Sequence, residues 1–134
     1  MTLVVDASVV VAALVDAGPI GEWAEEIVAA EHLVAPHLMP VEVADILRRA
    51  QRAGEITPDT AALAHVELGA LPVDLFPYDP VASRAWALRK HVTMYDAGYL
   101  ALAELLDADL ATLDRRLTRA PGTACRFRLP PEAC

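Results

Sequence analysis

The sequence contains no run of about twenty uncharged apolar residues, so no helix in it is expected to cross a bilayer. Nor is there a basic leader or a cleavage site. Met1-Thr2 passes directly into a strand-like run, so no secretory signal is expected, and the cytoplasm is the expected compartment. Cysteine is nearly absent: Cys125 and Cys134 are the only two and lack metal-ligand spacing. They read as free thiols in a reducing cytosol, with a late C-terminal disulfide as the alternative. His32, His37, His65 and His91 share no spacing suited to a metal. Internal repeats and low-complexity tracts are missing too. The 134 residues fit one domain spanning 1–134, long enough to bury its own core.

Positive charge is scarce. Eleven Lys and Arg stand against nineteen Asp and Glu, a net of −8, which argues against an unspecific polyanion binder. The imbalance is uneven, however. Residues 1–83 carry Arg48, Arg49 and Arg52 against thirteen acids, a net of −10, whereas residues 84–128 carry eight cations against five acids. Between Arg115 and Arg128 lie five arginines and no acid, so a polyanion would be held from there.

What is present is an alternation of short apolar runs with helical patterns. Leu3-Val4-Val5 reads as a strand buried on both faces, as in a central parallel sheet, and stops at Asp6. Ser8 is positioned to cap a helix reaching about Val15. Ile20, Trp23, Ala24, Ile27 and Val28 form the apolar stripe of a second helix. A strand over 32–36 follows. A helix from about Leu38 to Ala53 comes next, with Met39, Val43, Ile46, Leu47 and Ala50 inward and Glu42 about 60° off the stripe centre. Thr57-Pro58-Asp59 starts a further helix, whose apolar side is expected to hold Ala62, Leu63, Val66 and Leu71. Val73–Phe76 is a third strand. Asp79-Pro80 opens a helix with Val81, Ala85, Trp86 and Leu88 inward. From Thr93 a helix apolar nearly all round implies burial on most sides. Leu110–Leu113 then reads as a strand ending at Asp114, Arg115–Arg119 as a short helix, and Cys125–Leu129 as an alternating edge strand. The pattern is that of an α/β fold with a small, mostly parallel sheet.

In such a sheet ligands bind beyond the carboxyl ends of the strands. Asp6 and Asp114 fall there as strand-terminal residues, and Asp96 and Glu42 join them if their helices start at that edge. Each has an ordinary reading: Thr93-x-x-Asp96 is close to a capping box, Asp114 could cap the next helix, and Glu42 could be a boundary glutamate. Together, four close carboxylates need a counter-charge, and an all-oxygen set suits Mg²⁺, with Mn²⁺ as substitute.

Four segments, in order, carry a resemblance: Val-Val-Asp6-Ala-Ser8, the helix bearing Glu42, Tyr95-Asp96-Ala97-Gly-Tyr99-Leu-Ala-Leu-Ala, and Leu-Ala-Thr112-Leu-Asp114-Arg-Arg-Leu117. The sequence resembles the PIN-domain family, and within it the VapC-type toxins of bacterial toxin–antitoxin pairs. The resemblance implies a three-layer α/β/α domain and a Mg²⁺-dependent endoribonuclease with Asp6, Glu42, Asp96 and Asp114 as its catalytic, metal-holding acids. Ser8 and Thr112 match the family's polar positions beside the metal. Some PIN domains carry a further acid after the one matching Asp114; here Arg115, Arg116 and Leu117 follow, which puts a fully occupied second metal site in doubt. Arg115, Arg116 and Arg119 are the expected RNA-binding residues. A cognate antitoxin and a homodimer are expected as well. The antitoxin, a basic segment, would dock on the acidic helices of residues 20–69 against Met39, Leu63 and Val66. A metal-dependent phosphoesterase or DNA nuclease would share this chemistry, whereas a non-catalytic α/β binding module would leave the acids as caps.

Overall fold

The computed structural model describes residues 1–132. β1 (Thr2–Val5) is buried from Leu3 to Val5 and runs into α1 (Ala7–Val15), which is apolar except for Ser8. The chain turns sharply into α2 (Pro19–Ala30), at a bend of 110°. Gly21 makes that corner possible: a Cβ there would fall 1.8 Å from the Asp16 carbonyl oxygen. β2 (His32–Pro36) is followed by α3 (Met39–Arg52), α4 (Pro58–Ala70) and β3 (Val73–Phe76). A 3₁₀ turn over Asp79–Val81 leads into α5 (Ala82–Ala87), and α6 (Met94–Leu106) into β4 (Asp109–Ala111). A second 3₁₀ turn, Arg115–Arg119, precedes β5 (Phe127–Arg128).

The five strands lie in the order β3-β2-β1-β4-β5, and every pairing is parallel. Parallel neighbours require crossovers, and right-handed crossovers fix where the helices go. The steps β1→β2→β3 move one way and carry α1 to α4 on one face, where α1 packs on α2, α3 and α4. The step from β3 back to β4 carries α5 and α6 over the other face, and α6 lies on β1, β2 and β4. This is a three-layer α/β/α arrangement. The strand order reverses between β1 and β4, and the crevice at such a reversal is where doubly wound sheets bind ligands. α6 is the central packing element of its layer: Ala97 to Ala103 are all buried.

Several expectations are corrected. Ser8 lies inside α1 rather than capping it; Asp6 holds the cap position without a side-chain cap bond. Ile20 is exposed, and Gly21 replaces it on the buried side of α2. α4 buries Ala61, Ala64 and Leu68, leaving Leu63 and Val66 at 60% and 69% exposure. Small side chains let α4 approach α1 and α3, so the larger aliphatics turn outward. Met39 is buried, as the stripe of α3 predicts, and so does not offer the surface contact expected of it for the antitoxin. Trp86, expected inward, is 58% exposed, because α5 is short and only Ala85 and Leu88 seat its end. β4 stops at Ala111 and not at Leu113, since its neighbours β1 and β5 end there. The edge strand is only Phe127–Arg128. Among the described residues Cys125 has no disulfide partner, and burial pushes its thiol pKa up to about 11; Cys134 lies outside the described residues. Among the described residues no single helix is long and apolar enough to cross a membrane.

Candidate active site

The residue after β1 is Asp6, and its amide closes the sheet by donating to the Ala111 carbonyl at 3.0 Å. Its carboxylate turns into the crevice between β1 and β4. There the fully buried Thr112 donates its hydroxyl to Asp6 Oδ2 at 2.7 Å. The same hydroxyl oxygen accepts the Asp114 amide at 3.1 Å. Thr112 thus ties two of the expected acids together. Ser8 Oγ accepts the Leu113 amide at 3.3 Å, which holds the segment between Thr112 and Asp114 against α1. Asp114 is three residues beyond the strand, not its last residue, and caps the 3₁₀ turn by accepting from the Arg116 amide at 2.9 Å.

Asp96 arrives by helix capping. Thr93 Oγ1 accepts the Asp96 amide at 3.2 Å, starting α6 at the carboxyl edge and placing Asp96 in its first turn. Glu42 sits in the first turn of α3. Its Oε1 accepts from the hydroxyl of Tyr99 at 3.2 Å. Tyr99 was not singled out in the sequence, although a signal was there. In a helix buried all round, a tyrosine hydroxyl must find an acceptor, and Tyr99 lies one turn beyond Asp96.

Electrostatics show that the carboxylates form one group. Glu42 is raised to about 7, chiefly by burial, with the charges of Asp6 and Asp96 acting the same way and the Tyr99 hydrogen bond opposing them. Burial also raises Asp6, although the Thr112 hydroxyl and the start of α1 oppose the shift. Asp96 is raised by burial and by the charges of Asp6 and Asp114. Only Asp114 goes down, because Arg116 hydrogen-bonds to it through both side chain and amide. Tyr99, desolvated beside Glu42 and Asp6, stays neutral.

The structure therefore brings Asp6, Glu42, Asp96, Asp114, Ser8 and Thr112 to one crevice. The donor set is all oxygen and short of positive charge, which suits a hard divalent cation. As the side chains stand, no three His, Cys, Asp or Glu groups among the described residues are arranged as ligands around one point. What fits is the chemistry of the set.

The arginines divide. Arg116 and Arg119 line an open hollow with Arg89, Lys90, Asp96 and Asp114. Arg115 instead donates to the Pro130 carbonyl at 2.6 Å and pairs with Glu132 at 3.5 Å. Arg126 and Arg128 turn to the opposite edge of the sheet, where they pair with Asp107, Asp109 and Glu31, so the expectation that the whole 115–128 segment faces a polyanion is corrected.

The family described as PIN domain matches residues 3–122. The chain is 40% identical over 127 residues to Ribonuclease VapC1 of Mycobacterium tuberculosis, covering 94% of this chain and 96% of that protein. The crystal structure of VapBC2 from Rickettsia felis, bound to a DNA fragment from their promoter, superposes with a TM-score of 0.69 at 10% identity, covering 98% of this chain and 100% of that one. That of Mycobacterium tuberculosis VapC20, described as a sarcin-ricin loop cleaving toxin, gives 0.68 at 14% identity, over 91% and 96%.

Proposed function

The chain belongs to the PIN-domain family, among the VapC-type proteins, and on that premise we propose that it is the ribonuclease toxin of a type II toxin–antitoxin pair. In finer detail, it is a Mg²⁺-dependent endoribonuclease, with Mn²⁺ as substitute, cutting cellular RNA such as tRNA or rRNA. It acts in the cytoplasm as a homodimer and is held in check by its cognate antitoxin. The observation that carries this reading is the meeting of Asp6, Glu42, Asp96 and Asp114 at the strand-order reversal, three of them raised chiefly by burial, with the neighbouring carboxylates adding to the shift at Glu42 and Asp96. The curated relatives are named as VapC ribonucleases, and the antitoxin partner is supported by VapBC2 among the structural neighbours.

Asp6, Asp96 and Asp114 would hold the cation, with Glu42 beside them. When bound, the cation neutralises charge on a scissile phosphate and acidifies a water for in-line attack. The remaining work falls to the chain. Thr112 fixes the rotamer of Asp6 and the backbone at Asp114 through one hydroxyl. Ser8 pins the peptide between them. Tyr99 orients Glu42 by donating to its Oε1, which leaves Oε2 free to orient a water. Arg116 steadies Asp114 and presents its exposed guanidinium beside the crevice, where phosphate oxygens would pass.

The test is cleavage of matched RNA and DNA oligonucleotides by a nuclease-free preparation, in Mg²⁺, in Mn²⁺ and in chelator, with Asp96→Asn alongside. Metal-dependent cutting of RNA alone, absent in the variant, is expected. Equal cutting of DNA would make it a general phosphodiesterase. No cutting, and no cation binding by calorimetry, would leave a binding module.

A further inference from the structure

Beside the carboxylate crevice lies a second hollow, of about 470 Å³, that shares only Glu42 with the reaction described above. Its wall is apolar and aromatic, with Leu38, Phe76, Tyr78, Val81, Trp86 and Tyr95 the principal contributors. Three of those rings stand open: Tyr78 is 51% exposed, Trp86 58% and Tyr95 61%. A soluble domain does not leave clustered tyrosine and tryptophan in water without reason.

The hollow is continuous with the site. Glu42 forms part of its lining, and Tyr95 immediately precedes Asp96 at the start of α6. It also shares a wall with the cationic hollow. Trp86 faces the aromatic side, and the guanidinium of Arg89 lies 4.6 Å from the centre of its ring. Arg89 itself lines the other hollow with Lys90, Arg116 and Arg119. Rings with polar tips therefore lie on one side of the acids, and cations that can follow a phosphate chain lie on the other.

Resting on the ribonuclease reading, we infer that the aromatic hollow is a base subsite: it takes one unpaired RNA base next to the scissile phosphate, stacked on Trp86 and Tyr95, while the backbone runs over Arg89, Lys90, Arg116 and Arg119. Aromatic platforms hold single-stranded bases by stacking, and the bases of a paired A-form helix are not free to enter such a site. The substrate is therefore a single strand or a loop. The charge distribution favours RNA here over a protein segment. The exposed aliphatic residues Leu63, Val66 and Leu75 stand elsewhere, on α4 and β3, whose only formal charges are Asp59, Glu67 and Asp74. That face suits a basic peptide, whereas the aromatic one, whose own lining carries Glu42 as its one acid, meets the cationic hollow at the Trp86–Arg89 contact and so sets a base beside a path for its phosphates.

The experiment separates binding from cleavage. The Asp96→Asn chain, in chelator, is titrated with a mixed-sequence single-stranded RNA, with a duplex of the same length, and with an abasic ribose-phosphate strand of equal charge. The single strand should bind about tenfold tighter than the abasic strand. Adding Trp86→Ala or Tyr95→Ala should remove that advantage and leave abasic binding unchanged. Trp86→Phe should keep most of it. Both side chains are exposed, so their removal leaves the core intact, and circular dichroism checks this. Unchanged single-strand binding in the alanine variants overturns the subsite. So does loss of antitoxin binding with RNA binding intact, which would make the hollow a protein site. If ring-dependent RNA binding is found but the parent chain cuts nothing in Mg²⁺ or Mn²⁺, the subsite stands and the ribonuclease reading falls.

Discussion

The two edges of the sheet handle acidic side chains in opposite ways. At the amino edge, Glu31, Asp107 and Asp109 are each matched. Arg128 reaches Glu31 at 2.9 Å and Asp109 at 3.3 Å, Arg126 reaches Asp107 and Asp109, and the N-terminal ammonium lies 3.6 Å from Glu31. Glu31 is held below its usual range by these cations. At the carboxyl edge, Asp6, Glu42 and Asp96 form no ion pair among the described residues, and all three are raised, chiefly by burial. Five arginines were available between residues 115 and 128, and two of them, Arg126 and Arg128, serve the edge with no chemistry. The carboxyl edge is thus the one left without counter-charge, which is the edge where the proposed function places its chemistry.

Breaking each edge in turn should separate function from stability. Asp6→Asn or Asp96→Asn should lower RNA cleavage by at least about a hundredfold, the scale seen when one preorganised electrostatic group is removed. Melting in chelator should stay level or rise, because a repulsion is removed. A variant that cuts at the wild-type rate would show that the carboxylates do not act as a set. Thr112→Val comes next. It removes the hydroxyl that holds both Asp6 and the Asp114 amide, so a loss of roughly 10–100-fold is expected, with Thr112→Ser restoring most of it. Equal rates for Val and Ser would show that the hydroxyl does not position the acids.

Much of this contrast was legible beforehand, and the reasons differ by element. β1, the Thr93 cap and the all-round apolar α6 follow from local patterns, and their consequences agree with the structure. The meeting of the four acids could be anticipated from strand ends and helix starts, since a parallel sheet gathers both at one edge. Tertiary packing overrode the local signal elsewhere. The burial of α4 was assigned to its largest side chains, whereas alanines face the core so that the helices can approach. The division of the arginines could not be read either. Whether Arg128 turns to Glu31 or to the crevice depends on the register of β5 beside β4, which nothing within residues 115–128 specifies.

The pH dependence of stability also separates the edges. The carboxyls of Asp6, Glu42 and Asp96 bind protons more tightly folded than unfolded. Their stabilising contribution is full below the unfolded values and is lost as pH rises through the folded ones, about 7 for Glu42. Lowered groups such as Glu31 and Glu104 act below their ordinary range, near pH 4, and contribute little slope above pH 5. Metal-free protein should therefore melt lower at pH 8 than at pH 5.5, by several degrees. Glu42→Gln should flatten the curve, and Mg²⁺ at pH 8 should recover part of the loss. A curve rising with pH over this window would mean that the carboxyl edge is already neutralised. Arg128→Ala should instead lower melting by a few degrees at every pH above 5 and leave cleavage unchanged. Lost cleavage would place the amino edge in the reaction.

The smallest effect tests the cations that remain at the working edge. Each guanidinium that meets a phosphate releases counterions, so its loss reduces the slope of log affinity against log salt by roughly 0.7 for a single strand. Arg116 and Arg119 line the hollow beside Asp96 and Asp114, and Arg116 is 88% exposed. Arg115, adjacent in sequence, is engaged by the Pro130 carbonyl and by Glu132. In the Asp96→Asn background, Arg119→Ala should reduce the slope by about one such step. Arg116→Ala should do the same and also release Asp114 from its low range, because Arg116 is the main cause of that shift. Arg115→Ala should leave the slope unchanged. Three equal reductions would show that RNA displaces the C-terminal contacts and recruits Arg115, which enlarges the working edge. No reduction in any of them would place the backbone elsewhere, on Arg89 and Lys90 alone or outside this hollow.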